Sequence, residues 1–147
     1  MTVASDTRAE RTIVVNRPIQ DVFEYLSDGT NNMQWRSGVV QIERTSAAAG
    51  AGATYRQVLK GPGGRSIDGD YVITDYSPPR QLGFQVTAGP ARPVGRFELT
   101  DADGGTEVTF TLDLQPKGFM RLMTPMIASQ VRREVAALDN VKTILEH

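Results

Sequence analysis

The sequence predicts an α+β domain in which a seven-stranded curved antiparallel sheet wraps around a long C-terminal helix, with two short helices between strands 1 and 2. Three observations predict it. In Glu107-Val108-Thr109-Phe110-Thr111-Leu112-Asp113-Leu114-Gln115 every second side chain is apolar, the mark of a strand with one face buried. That strand runs, through the breaker Gln115-Pro116-Lys117-Gly118, into a long segment of helical periodicity. Between Gly38 and the last strand, further alternating segments are separated by Gly and Pro signals too short to hold crossover helices, so they pair as antiparallel hairpins.

From the N-terminus, residues 1 to 7 read as a frayed end. A strand near Ala9–Arg17 follows, with Ile13 and Val15 on one face. Pro18 suits the first turn of a helix, and Pro18–Ser27 brings Val22, Phe23 and Leu26 to one side before Asp28-Gly29 ends it. A second short helix is expected over Asn31–Trp35. Strands are then expected near Val39–Thr45, Ala53–Lys60, Ser66–Tyr76, Gln81–Thr87, Val94–Thr100 and Thr106–Gln115. The turns between them, such as Gly61-Pro62-Gly63-Gly64, Ser77-Pro78-Pro79 and Asp103-Gly104-Gly105, carry residues that tolerate tight or left-handed backbone.

The C-terminal segment has two halves. Phe119, Leu122, Met123, Met126 and Ile127 form a broad apolar front, whereas Val131, Val135, Leu138 and Val141 or Ile144 form the narrow stripe of an ordinary amphipathic helix. Pro125 lies between them. It either kinks one helix or, with Thr124 as N-cap, starts the long helix afresh and leaves Lys117–Met123 as a separate turn. A single sheet has one face to cover and this helix alone is large enough to cover it, so a cavity is expected beneath its broad beginning.

Composition excludes several functions. A chain of 147 residues with 39% hydrophobic content is one domain able to bury a core without metal or disulfide support. A net charge of −1 provides no basic field for nucleic acid or an anionic membrane. No run approaches the ~18 apolar residues of a membrane span, and the charged start lacks the apolar core of a signal peptide. With no cysteine as well, a cytoplasmic location is expected. The sole histidine is His147, so His/Cys metal sites, thiol nucleophiles and Ser-His-Asp relays are unavailable. Leu145-Glu146-His147 also looks like the start of a purification tag. No metal, nucleotide or other cofactor is expected.

Three glycine-bearing segments imitate binding motifs without their context. Gly61–Ser66 lacks the Gly-Lys-Ser/Thr ending of a phosphate loop, and no helix follows it. Asp101-Ala102-Asp103-Gly104 lacks the later acidic ligands of a calcium loop. Gly50-Ala51-Gly52-Ala53 leads into a strand where a dinucleotide fingerprint requires a helix.

Four segments in order, Pro18–Asp28 with Trp35 after it, Gly52–Arg56, Tyr71–Arg80 and Gly105–Val108, resemble the polyketide cyclase/dehydrase-like branch of the START-related (SRPBCC, birch-pollen-allergen-like) superfamily. The resemblance covers nearly the whole chain. It implies a helix-grip fold with a mostly apolar pocket between sheet and C-terminal helix, of the kind used to hold lipids, polyketides or sterols. Carriage or sequestration of such a hydrophobic small molecule is the leading expectation. A cyclase or dehydratase using a pocket Tyr or carboxylate is the alternative, with Asp70, Asp75 and Glu98 considered as carboxylates. A protein-interaction module, including a homodimer covering the pocket mouth, is the third.

The expected wall is Tyr55, Leu59, Tyr71, Phe84, Phe97, Phe110, Phe119, Leu122, Met123 and Met126, where inward strand positions meet the broad helix face. Tyr55 and Gln57 share one face of their strand and Arg56 lies on the other. Tyr55, Gln57, Tyr71 and Arg56 are the polar candidates, which cannot all face one ligand; Tyr55 and Tyr71 are favoured, and Trp35 is read as a packing anchor.

Overall fold

The computed structural model describes residues 7–89 and 91–147. The eight strands are β1 (Arg8–Val15), β2 (Val39–Arg44), β3 (Thr54–Lys60), β4 (Ser66–Asp68), β5 (Tyr71–Ser77), β6 (Gln81–Val86), β7 (Val94–Ala102) and β8 (Gly105–Asp113). The helices are α1 (Ile19–Ser27), α2 (Asn32–Trp35), α3 (Thr124–Ala136) and α4 (Asp139–Leu145). Seven strands form one antiparallel path in the order β1-β8-β7-β6-β5-β3-β2, and β4 pairs with β3 beside it. The helix-grip arrangement is thus present: a curled sheet with the C-terminal helix against it and short helices between the first two strands.

Hairpins build most of the path. Asp103 and Gly104, both at positive φ (39° and 86°), close the β7–β8 turn, which matches the twist of the two strands it joins. Irregularities at Val39/Gln41 and at Ile73/Asp75 shift the register of β2–β3 and β5–β6, the kind of local offset that bends and twists a sheet. The long-range closure is β1 on β8, from Arg8↔Asp113 to Val15↔Thr106.

The expected strand Ser66–Tyr76 is divided in two. The Asp70 side chain accepts the Gln57 N–H at 3.2 Å, and the Gly69 N–H donates to the Gln57 carbonyl at 2.8 Å, so the chain leaves β3 at Gly69-Asp70 and rejoins it at Tyr71. At the N-terminus, the frayed end lies outside the described residues except for Thr7, which is buried and accepts the Leu114 N–H at 3.1 Å.

The C-terminal segment follows the second of the two geometries considered, displaced by one residue. Gly118–Met123 is a 3-10 turn, Met123 is the N-cap, and α3 begins at Thr124 with Pro125 in its first turn, where a missing N–H costs nothing. The Thr124 hydroxyl donates back to the Arg121 carbonyl at 2.7 Å. The long helix also has a break that periodicity did not reveal, at Ala137-Leu138 between α3 and α4. Val131, Val135, Leu138 and Val141 nevertheless stay on one buried stripe, 0–4% exposed. Leu145 and Glu146 are tied to the body, Leu145 by its carbonyl to Arg17 at 2.8 Å and Glu146 by its carboxylate to the Asn16 N–H at 3.0 Å.

Candidate functional site

An aromatic wall occupies the core face of the sheet. Phe97 and Phe110 are directly paired residues of β7 and β8, and their rings stack at 4.4 Å. Trp35 meets both edge-on at 6.3 and 6.0 Å. Phe84 links this group to Tyr71 at 5.4 Å, and Tyr71 stacks on Tyr55 at 5.0 Å. Such offset and edge-on contacts satisfy the ring quadrupoles and fix the wall more tightly than area burial alone. Phe84 fits because its neighbour on β7 is Gly95, where a Cβ would collide with the ring.

Beneath α2 the wall encloses a cavity of about 20 Å³, with Trp35, Asn32 and Arg36 on the helix side and Tyr71, Phe84, Phe97 and Phe110 on the sheet side. Room for little more than one water remains. The indole N–H of Trp35 is buried with no acceptor among the described residues. Asn32 is more fully engaged, its amide group donating to Gln57 at 3.2 Å and to the Tyr71 hydroxyl at 3.3 Å. Gln57 in turn donates to the Gly69 carbonyl at 3.2 Å. Burial, reinforced by the neighbouring Tyr55, pushes the Tyr71 phenol well above its ordinary value, although Arg36 and the Asn32 bond act in the opposite direction. Arg36 lies over the Trp35 ring at 5.8 Å and makes two bonds, of 3.1 and 2.9 Å, to one oxygen of Glu134 on α3.

The expected wall residues separate into two groups. Tyr71, Phe84, Phe97 and Phe110 line the cavity, and Tyr55 is buried one layer away against Tyr71. Leu59 is half-buried near Gly69 and Ile67, away from the cavity. Phe119, Leu122, Met123 and Met126 do not reach it: they are 79%, 86%, 39% and 53% exposed. The expectation of one continuous wall assumed α-helical spacing from Phe119 onward. In the 3-10 turn, residues three apart share a face, so Phe119 and Leu122 point outward together while Met120 packs against the core.

Sequence reasoning missed Leu26, Ser27, Asn32, Arg36, Ile73 and Leu82 as cavity residues, and read Trp35 as a packing anchor. Asn32 and Arg36 lie in and just after a four-residue helix, which carries no periodicity to place them, whereas Leu26 and Ser27 end α1, whose apolar side was read as core. Asp70, Asp75 and Glu98 are all absent from the cavity lining. Asp75 and Glu98 instead border a shallow concavity of about 350 Å³ on the opposite face of the sheet, where Arg96 lies 3.8 Å from Glu98 and Arg8 lies 3.7 Å from Glu10.

A family model described as polyketide cyclase / dehydrase and lipid transport matches residues 6–146. The chain belongs to this family. Among solved structures, this family member is similar to the Zhui aromatase/cyclase from Streptomyces sp. R1128, at TM-score 0.79 and 19% identity, over 95% of this chain and 93% of that one. A protein of Thermus thermophilus gives TM-score 0.75 at 20% identity, covering 95% of each chain. Ara h 8.0201 gives 0.71 at 13%, covering 95% of this chain and 97% of that one. The chain spans 50% of the di-domain ARO/CYC BexL, at TM-score 0.71 and 15% identity over 95% of its own length. At these identities the likeness is one of fold. No curated protein sequence matches the chain.

Proposed function

We propose that the chain binds a hydrophobic small molecule, lipid-, polyketide- or sterol-like, between the aromatic wall and α2, for carriage or sequestration. The observation that carries this reading is the buried indole N–H of Trp35, without an acceptor among the described residues, on a side chain that lines a mostly apolar cavity. A buried donor without an acceptor costs free energy, on the order of 1–3 kcal/mol, which a ligand carbonyl or hydroxyl would recover. The family description, which joins cyclases with lipid transport, supports the same ligand class. At about 20 Å³ the cavity must widen to take such a ligand, and α2, only four residues long, is the element whose displacement widens it.

Carriage is favoured over acid-base catalysis by the cavity's inventory. Among the described residues no carboxylate or histidine lines it, and the one phenol that does is held protonated by burial. Affinity then comes from apolar area, at about 25 cal/mol per Å² buried, with Trp35 and Asn32 orienting the polar end.

Trp35 is the sole tryptophan, so its fluorescence reports on the site directly. Titration with a long-chain fatty acid, a sterol and a fused-ring phenol is expected to give a saturable one-to-one change with at least one class. Native mass spectrometry of protein purified from its own host is expected to show a matching bound mass. No fluorescence change with any class, together with a ligand-free mass, would refute the reading.

A further inference from the structure

Between Asp113 and Glu134 the sequence has Lys117, Arg121, Arg132 and Arg133 and not a single Asp or Glu, although the whole chain carries a net charge of −1. All four cations are exposed. Among the described residues Lys117, Arg121 and Arg132 have no ion-pair partner, and Arg133 donates only to the neutral amide of Gln130 at 2.7 Å. The same segment holds four of the exposed large apolar side chains, with Phe119 at 79% and Leu122 at 86% standing almost wholly in solvent. Met126 and Arg133 are seven residues apart on α3 and so share one of its faces. Apolar side chains and unpaired cations thus lie together over Lys117–Arg133.

We propose that this surface docks onto an anionic lipid bilayer, with Phe119 and Leu122 entering the boundary between headgroups and acyl chains and Lys117, Arg121 and Arg133 contacting lipid phosphates and carboxylates. A fluid bilayer accepts protruding rings and branched chains without a shaped socket, and cations beside an apolar face are what anionic headgroups attract. A second copy of this chain is a poor occupant. In a two-fold contact the patch meets itself, which sets cation against cation with no acid in the segment to pair them. The overall charge conceals this local field, which is why composition alone points away from membranes. The inference is independent of what fills the cavity.

The test is co-flotation of the full chain with phosphatidylcholine vesicles, with and without about 30% phosphatidylserine, at low and at high salt. Association with the anionic vesicles at low salt, weakened at least about tenfold by high salt or by omission of phosphatidylserine, is expected. Phe119→Ser/Leu122→Ser and Lys117→Glu/Arg121→Glu should each weaken it by about tenfold or more. Because these side chains are exposed, both variants should keep the wild-type melting temperature. Wild-type protein that stays off both vesicle types would overturn the proposal and leave an acidic protein as the candidate partner. Equal association of wild type and both variants would overturn it as well, as would a concentration-dependent dimer that only the Phe119→Ser/Leu122→Ser variant abolishes.

Discussion

Phe110 is 1% exposed, stacked on Phe97 and edge-on to Trp35, in contact with a cavity too small to receive its ring. Phe110→Ala should therefore show the full cost of a core truncation, about 3–5 kcal/mol in urea unfolding. A loss below about 1 kcal/mol would mean that the wall collapses freely around the missing ring. Tyr71 makes a different prediction. Its phenol ionises higher in the folded chain than in the unfolded one, chiefly because it is buried. Below the ordinary phenol value of about 10, both states keep the proton and the stability contribution is fully present. As pH rises past that value the unfolded chain ionises first, so stability falls until folded Tyr71 ionises too. Urea midpoints compared from about pH 8 to about pH 11 should fall less steeply for Tyr71→Phe than for wild type, and parallel curves would contradict the assignment. Strand alternation made Phe84, Phe97 and Phe110 legible as inward residues. Arg36 was not legible, because a charged residue after a four-residue helix looks solvated until Glu134, far along the chain, is brought beside it.

The segment from Gly118 to Met123 and the helix after it differ in how they are held. None of residues 118 to 123 is buried, whereas Val131, Val135 and Leu138 are 3%, 4% and 0% exposed. Amide hydrogen exchange should be faster across Gly118–Met123 than across Val131–Leu138, and equal protection would show that the turn is anchored by contacts beyond Met120. Pro125 gives a second check. In the first turn of α3 it interrupts no hydrogen bond, so Pro125→Ala should change stability by less than about 1 kcal/mol rather than the ~3 kcal/mol typical of proline at a helix interior. The identity of each long element was readable from its period. Boundaries that depend on one side chain were not: the Asp70 carboxylate that divides β4 from β5 and the Thr124 hydroxyl that closes the 3-10 turn both act through bonds that periodicity does not encode.

The order of the sheet follows from hairpins wherever neighbours in sequence are neighbours in space, and those turns were visible. The closure of β1 on β8 is long-range, and the single apolar face of each strand required a common core without specifying this partner. The interior's capacity is set in part by Gly95. Gly95→Ala should force the Phe84 ring toward the cavity, lowering stability by about 1–3 kcal/mol and weakening any ligand that Trp35 fluorescence detects. Unchanged affinity would place the ligand elsewhere. Two links hold α2 over this interior from the far end of the chain: the Arg36–Glu134 pair to α3, with side chains 12% and 19% exposed, and the Asn140 side chain on α4, which donates to the Trp35 carbonyl at 2.9 Å. For the ligand proposed above, they act as a latch. A ligand that widens the cavity by displacing α2 keeps both links open, so they weigh against loading as well as slowing it. In stopped-flow mixing, Glu134→Gln should accelerate uptake more than release and so tighten binding, and equal acceleration of both rates would show that the pair re-forms around the loaded protein.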